Sequence, residues 1–293
     1  PEILERARGG QVLVVSSLTQ DGAEHTVSAL SMGAADTMLK PRPGGFNEEY
    51  RSQLLAKVRA LGEAASSREV EIDSEEADAP RPASTKPKPA KNAVWQTPEV
   101  IAIGASTGGI HALNKMLRCL TPEFDLPILI TQHLPSSFIP VFARQVEMAC
   151  ARPAIIAEEG TEIRRGQVAI ATGHGHLTVR RRGDRLLVRT LAAPAPSGCL
   201  PSVDPMFESL AEACEGRVLG VVLSGMGRDG LEGARALIEA GAMVIAQDAE
   251  TSAVWGMPGA VTKAGLTSFV GSPEELGAKV LESAQRVTTS ERS

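Results

Sequence analysis

A serine flanked by small residues lies at a predicted junction between a strand and a helix. Ser106 is the centre of the sequence Gly-Ala-Ser-Thr-Gly at residues 104–108, which follows the apolar strand pattern of residues 100–104. In that context the Gly-x-Ser-x-Gly pattern is typical of a nucleophilic serine exposed on a sharp turn. The free N–H groups at the start of the following helix would stabilise negative charge that develops nearby. The motif therefore indicates acyl transfer.

Two further residues with acid–base chemistry follow other predicted strands. His133 comes directly after the apolar run of residues 127–132, and Asp229 lies in a glycine-rich turn after the run of residues 218–225. Open α/β sheets form their clefts at the carboxyl ends of parallel strands, so these side chains are expected to meet there. A serine, a histidine base and a carboxylate that orients the imidazole are the set that activates serine.

Each of these motifs has a simpler interpretation. The glycines at 104, 108 and 109 would also fit a phosphate-binding turn, but the second strand ends in a histidine rather than the acidic residue that would hold a ribose. Asp229 alone would be interpreted as a helix N-cap. The presence of all three residues at strand ends favours catalysis. Their chain order, serine then histidine then aspartate, differs from that of ordinary α/β-hydrolases and indicates a different fold with a convergent triad.

The elements that must position this site alternate between strands and helices. Apolar strand patterns occur at residues 100–104, 127–132, 167–171, 218–225 and 242–247, with amphipathic helical patterns between them. Nearly continuous apolar strands joined by helices predict a doubly wound, mostly parallel, Rossmann-like sheet that is covered on both faces. A hairpin is predicted at residues 177–190, with its turn at Gly183 and Asp184.

The chain divides into three parts by composition. Residues 64–97 are rich in acidic residues, lysine and proline, which predicts a flexible linker. Residues 98–293 form the predicted catalytic domain. Residues 1–63 contain strand patterns at 11–15 and 37–41, a helix at 23–32, and a helix from Asn47 with Leu54, Val58 and Leu61 on one face. Two strands do not make a stable sheet alone, so we expect further sequence upstream.

Bulk composition excludes several classes of function. The aromatic content is 3% and the net charge is -5, neither of which suits binding to nucleic acid. No apolar run is long enough to span a membrane, and the beginning of the chain lacks a secretion-signal pattern. The four cysteines show no paired spacing, which is typical of free thiols in a reducing compartment. We therefore expect a cytoplasmic protein that is not inserted into membranes.

The first part of the chain resembles the second half of a response-regulator receiver domain, which has a flavodoxin-like α/β fold. The resemblance rests on Val-Val-Ser-Ser at residues 14–17 and on Lys40-Pro41. It implies that Ser16 and Lys40 are the switch residues that contact a phosphoryl group on an aspartate. It also implies that the receiver is truncated here, because that aspartate belongs to the first half.

Residues from about 100 to 284 resemble the catalytic domain of chemotaxis protein-glutamate methylesterases, the CheB family. The motifs that carry the resemblance are Ile-Gly-Ala-Ser-Thr-Gly-Gly (103–109), Gln-His-Leu-Pro (132–135), Pro-Ser-Val-Asp (201–204), Ser-Gly-Met-Gly-Arg-Asp-Gly (224–230) and Trp-Gly-Met-Pro-Gly-Ala (255–260). Together with the partial receiver and the linker, the resemblance extends over almost the whole chain.

This resemblance implies a role for each site residue. Ser106 would be the nucleophile, His133 its base and Asp229 the residue that orients the imidazole. The backbone N–H of Met226 would help to form the oxyanion hole, and Thr107 would line the cleft. The family hydrolyses glutamate methyl esters and deamidates glutamines on cytoplasmic chemoreceptor helices through one acyl-enzyme, without a cofactor or a metal.

The resemblance also implies partners, with one departure. The expected partners are the cytoplasmic domain of a methylated chemoreceptor and, through the full-length receiver, a sensor histidine kinase. Before Pro-Ser-Val-Asp, however, family members often carry basic or amide residues, whereas residues 197–200 are Ser-Gly-Cys-Leu. The surface that contacts the receptor is therefore expected to differ. The alternative function is a noncatalytic module that binds a receptor or a kinase.

A histidine pair, a tryptophan with a nearby methionine, and a run of arginines are expected to have structural roles. His174 and His176 lack a third ligand with metal-site spacing, which favours a loop beside the hairpin. Trp255 and Met257 are expected to pack against the cleft wall. The arginines at 180–182 are expected to form a solvated hairpin face, with contact to acidic receptor helices as the alternative.

Overall fold

Among the described residues from 10 to 72, the chain forms two parallel strands and two helices. The computed structural model describes residues 10–17, 19–41, 43–72 and 96–285, together with Ile3 and Arg6. The elements in this range are β1 (Leu13–Ser16), α1 (Gln20–Ser31), β2 (Asp36–Leu39) and α2 (Glu48–Ile72). β1 pairs in parallel with β2, as the two strand–helix patterns predict.

Helix α2 differs from the sequence prediction in length and in its buried face. It continues to Ile72, into the predicted linker, because residues 63–72 contain good helix formers and neither proline nor glycine. The remaining linker residues up to 95 lie outside the described residues. Leu61 is buried as predicted, but Val58 is 52% exposed. Lys57 lies on the inner side instead, because its Nζ pairs with the Asp36 carboxylate at 2.5 Å.

The C-terminal part of the chain is built on a seven-stranded parallel sheet. Its strands are β3 (Val100–Ala105), β4 (Ile128–Gln132), β5 (Ala154–Ala157), β7 (Val168–Ala171), β10 (Val218–Val222), β11 (Met243–Gln247) and β12 (Phe269–Gly271). Their spatial order is β12-β11-β10-β3-β4-β7-β5. β3 is thus central, and the chain winds outward from it in both directions. The predicted doubly wound fold is confirmed.

Helices cover both faces of this sheet. They are α3 (Gly109–Arg118), α4 (Ile139–Cys150), α5 (Val203–Cys214), α6 (Leu231–Glu239), α7 (Met257–Lys263) and α8 (Pro273–Gln285). Alternate residues of β3 enter opposite cores: Ile101 and Ile103 pack with α3, α4 and α8, and Val100 and Ala102 pack with α5, α6 and α7. A strand buried on both faces is apolar at successive positions, which explains its sequence.

A small antiparallel sheet lies beside the parallel one. It contains β6 (Glu162–Ile163), β8 (His176–Arg182) and β9 (Arg185–Leu191), in the order β6-β9-β8. The predicted hairpin is β8–β9, and Gly183 at its turn has a φ of 63°, which favours glycine. Three strands, β5, β6 and β12, were not predicted, because they have four residues or fewer and too little alternation to be recognised.

The N-terminal elements pack directly against α3. Ala23, Val27 and Leu30 of α1 belong to the same apolar core as α3 and α4, and the imidazole Nδ1 of His111 lies 2.9 Å from the Ser31 carbonyl oxygen. The small β1–β2 sheet is therefore stabilised by contact with the larger unit. No helix in the described residues is long and apolar enough to cross a membrane.

Candidate active site

Ser106 lies on the turn between β3 and α3. Its backbone N–H donates to the Ser224 carbonyl oxygen at 3.0 Å, and its own carbonyl oxygen accepts from Gly109 at 2.8 Å. Gly108 has a φ of 77°, and an added Cβ there would lie 2.4 Å from the Cβ of Ala253. This crowding explains the requirement for small residues. The Ser106 side chain is partly exposed and forms no hydrogen bond within the part of the chain that the structure describes.

His133 follows β4, the neighbour of β3. The pairing of Ala105 with Gln132 places His133 beside Ser106, and the His133 N–H donates to the Ala105 carbonyl oxygen at 3.0 Å. The Gln132 side chain also connects the end of β4 to the Ser106 turn, because its Nε2 donates to the Ser106 carbonyl oxygen at 2.9 Å. The His133 side chain is 15% exposed. Its accessible edge thus faces the same end of the sheet as Ser106.

Asp229 lies after β10, the other neighbour of β3, and its carboxylate is almost completely buried. Its Oδ2 accepts from His133 Nε2 at 2.7 Å and from the Val203 N–H at 2.7 Å. Its Oδ1 accepts from Ser202 Oγ at 2.6 Å, from the Gly230 N–H at 3.1 Å and from the Asp204 N–H at 3.3 Å. The cap residue of the following helix, α6, is Gly230. Asp229 therefore binds the N-terminus of α5 and the cap residue of α6, and it holds the imidazole at the same time.

The hydrogen bonds of this cluster set its charge states. Burial raises the pKa of the Asp229 carboxyl, but hydrogen bonds from His133, Ser202 and Val203 outweigh it and hold that pKa well below its usual range. Burial also raises the pKa of Asp204, although the Gly233 N–H opposes the shift, and the charge of Asp229 raises it further. Asp229 is thus the member of the pair that ionises first.

The His133 imidazole is shifted in the direction that favours its cation. Burial lowers the pKa of His133, but the hydrogen bond to Asp229 and the adjacent Cys199 thiol group raise it, and together they bring it from 6.5 to about 9. Since the ionised Asp229 carboxylate only accepts, the Nε2 of His133 carries a hydrogen. In the neutral imidazole, Nδ1 is therefore the nitrogen that can accept a proton.

Two residues behind Asp229 were not identified from the sequence. His176 is buried at the start of β8, and its Nδ1 accepts from the Ser202 N–H at 2.9 Å, so its Nε2–H donates to the Ala193 carbonyl oxygen at 2.8 Å. Ser202 in turn donates to Asp229. The prediction that His176 lies in a loop is therefore wrong, because it is the first residue of β8. Its side chain positions the loop before α5. The Pro-Ser-Val-Asp motif was the signal that pointed to this region.

Met226 and Thr107 differ in their surroundings. Met226 is 36% exposed, and its backbone N–H has no acceptor among the described residues, as an oxyanion-hole donor requires. Thr107 is only 5% exposed, and its hydroxyl donates to the Asp36 carboxylate at 2.5 Å. The neighbouring Gly108 N–H donates to the Ala35 carbonyl oxygen at 2.5 Å. The N-terminal part of the chain thus covers the Thr107 side of the turn.

The two predicted receiver residues lie together at the carboxyl ends of β1 and β2. Ser16 pairs with Leu39, and the Lys40 N–H donates to the Ser16 carbonyl oxygen at 2.6 Å. The Ser16 hydroxyl donates to the Gly22 carbonyl oxygen at 3.1 Å, whereas Lys40 is exposed. Their role as switch residues remains a prediction.

Comparison with known proteins identifies the family of this chain. The profile of the family described as CheB methylesterase matches residues 101–280. The chain belongs to the CheB methylesterase family. This confirms the resemblance that the sequence motifs indicated, and the matched residues contain the Ser106, His133 and Asp229 cluster.

Relatives and a solved structure agree with this assignment. The chain is 37% identical to a protein-glutamate methylesterase/protein-glutamine glutaminase of group 2 operon from Rhodopseudomonas palustris, covering 96% of this chain and 77% of the relative. It is 38% identical to protein-glutamate methylesterase/protein-glutamine glutaminase 2 from Caulobacter vibrioides, covering 98% and 81% respectively. The crystal structure of the Thermotoga maritima CheB methylesterase catalytic domain matches with a TM-score of 0.62 at 30% identity, covering 64% of this chain and 99% of that one.

Proposed function

We propose that this member of the CheB methylesterase family hydrolyses glutamate methyl esters and deamidates glutamines through an acyl-enzyme on Ser106. Relatives that match almost the whole chain are named for both activities. The observation that carries the proposal is the 2.7 Å hydrogen bond between His133 and the buried Asp229, at the strand end next to Ser106. A noncatalytic binding module has no need of a buried carboxylate directed at a partly exposed imidazole.

The proposed acylation assigns a role to each of these groups. His133 Nδ1 accepts the Ser106 proton as Oγ attacks the ester or amide carbonyl carbon, and Asp229 stabilises the imidazolium. The oxyanion forms near the Met226 N–H and the N-terminus of α3. As the oxyanion collapses, the imidazolium gives its proton to the leaving group, which departs as methanol or ammonia. Water then hydrolyses the acyl-enzyme by the same steps and leaves a glutamate carboxylate.

The proposed substrate is the cytoplasmic helical domain of a methylated chemoreceptor. Support comes from the chemotaxis family to which the chain belongs and from the strand–helix pattern of residues 1–63, with Ser16 and Lys40 beside each other. In this proposal the catalytic domain begins near residue 98, and a sensor histidine kinase acts through a complete receiver. The setting would be the cytoplasm.

Methanol release is the direct test of this function. Membranes that carry chemoreceptors with radiolabelled methyl esters should lose volatile label when the chain is added, and receptors with glutamine at methylation sites should release ammonia. Unmethylated receptor membranes control for background release. If the chain binds these membranes but liberates neither product, the noncatalytic alternative replaces the proposal.

The pH dependence should reveal the imidazole. Only neutral His133 can accept the Ser106 proton, so kcat/KM should rise about tenfold per pH unit in acid and level off above a pH of about 9. Because the thiol group of Cys199 contributes to the raised pKa, Cys199→Ser should move the midpoint to lower pH. The profiles should be measured in chelator-treated buffer, with Cys119→Ser as the matched cysteine control. A midpoint that is the same in the Cys199→Ser and parent enzymes would contradict this account.

A further inference from the structure

A cysteine thiol completes a group of metal-type ligands at the proposed active site. The Sγ of Cys199, an imidazole nitrogen of His133 and a carboxylate oxygen of Asp229 all lie within 4.8 Å of one another. Among the described residues, this is the one group of three His, Cys, Asp or Glu side chains whose ligand atoms converge in this way. The proposed hydrolysis uses His133 and Asp229 but assigns nothing to Cys199.

The loop that carries Cys199 is attached to the same cluster. The Cys199 N–H donates to Ser197 Oγ at 3.3 Å, Ser197 Oγ donates to Ser202 Oγ at 3.1 Å, and Ser202 Oγ donates to Asp229. Cys199 is partly exposed and forms no disulfide. The thiol is therefore held beside His133 by the hydrogen bonds that also fix Asp229, and it remains accessible from solvent.

The chemistry of this donor set suits one kind of ion. Thiolate, imidazole and carboxylate are the three ligand types of zinc sites in proteins, and a tetrahedral zinc ion places its ligand atoms about 3.5 Å apart. A zinc ion would replace the hydrogen bond between His133 and Asp229, so these two ligand atoms must move apart from 2.7 Å while Cys199 moves inward, each change being about 1 Å. A thiolate and the Asp229 carboxylate would neutralise a divalent cation, and water would complete the tetrahedron.

We propose that Cys199, His133 and Asp229 form a zinc site that excludes hydrolysis while it is occupied. Binding releases the thiol proton, and the proton of the ligating imidazole nitrogen, to solvent. The consequence for activity rests on the proposed function, because a metal-bound His133 no longer relays the Ser106 proton. The metal site itself does not depend on that function, since its three ligands do not include Ser106.

Metal binding should be measured on the full chain without reference to activity. Co²⁺ added to the chelator-treated protein should produce the intense thiolate-to-cobalt absorption, and Zn²⁺ should displace it in competition. Cys199→Ser, which keeps a similar size, should abolish the absorption and weaken Zn²⁺ binding at least about 100-fold. Cys119→Ser removes a partly exposed thiol outside the cluster and should bind like the parent. Zn²⁺ should also protect Cys199 of the unmodified chain from alkylation.

Activity assays then separate this inference from the proposed function. Each variant is compared with its own metal-free rate of methanol release, and Zn²⁺ should inhibit the parent and the Cys119→Ser enzyme but not Cys199→Ser. The Ser106→Ala protein should still bind Co²⁺ with the thiolate absorption although it releases no methanol. If Zn²⁺ binds the Cys199→Ser protein as tightly as the parent, or fails to protect Cys199, the zinc site is overturned while the esterase remains. If no variant hydrolyses ester but the absorption depends on Cys199, the zinc site stands and the function fails.

Discussion

Replacing Ser106 with alanine is expected to lower kcat for both ester and amide hydrolysis by about 10⁴–10⁶ while the protein stays folded. Both reactions need the same nucleophile, so the two losses should be equal within error. The fold should tolerate the change because the Ser106 side chain makes no hydrogen bond within the described residues. Methanol and ammonia release, together with a thermal melt, measure the effect.

The control for this variant is Ser268→Ala. Ser268 is an exposed serine directly before β12, and its hydroxyl donates only to the Val244 carbonyl oxygen, at 3.1 Å, remote from the turn after β3. Its replacement should leave both rates near those of the parent. Methanol release by Ser106→Ala at a rate near that of the parent would show that another group attacks the ester.

Replacing Asp229 with asparagine is expected to lower kcat by about 10²–10⁴ and to lower Tm as well. Both carboxylate oxygens accept from donors, namely Ser202, Asp204 and Gly230 at Oδ1 and Val203 and His133 at Oδ2. An asparagine NH₂ group therefore faces a donor in either orientation. With its oxygen at Oδ1, it would favour the His133 tautomer with hydrogen on Nδ1, which cannot accept the Ser106 proton.

Ser202→Ala is the matched comparison for Asp229→Asn. It removes the Ser202 hydrogen bond to Oδ1 but leaves the bond between Oδ2 and His133. We expect a loss of stability of about 1 kcal/mol and a rate reduced by less than about tenfold. Steady-state rates and melting curves of the two variants should be recorded at the same pH. If Asp229→Asn lowers Tm but keeps near-normal turnover, Asp229 only stabilises the N-terminus of α5.

The strands that carry the site could be predicted from the sequence, whereas the contacts behind them could not. Strands buried on both faces are apolar at successive positions, so β3, β4 and β10 and the residues that follow them were recognisable. The bonds of Asp229 to α5 join residues that are 25–27 apart, and their formation depends on how α5 docks on the sheet. No local pattern encodes that contact.

The position of Cys199 and the inner face of α2 also required tertiary structure. The sequence showed that residues 197–200 depart from the family pattern, but the closeness of Cys199 to His133 follows from the path of the loop before α5. In α2, apolar periodicity favoured Val58 as a buried residue. The ion pair between Lys57 and Asp36 turned a polar residue inward, and such pairing depends on a partner from another element.

The central position of β3 has a consequence for how the enzyme folds. Its two neighbours, β4 and β10, bring His133 and Asp229 together although they are 96 residues apart in sequence. Closing so long a loop is entropically costly, and parallel pairing between distant strands is a slow step in folding. Helices can form locally before this step, but the His133–Asp229 bond cannot. Recovery of hydrolysis after dilution from denaturant therefore reports the completion of the sheet rather than the return of helical structure.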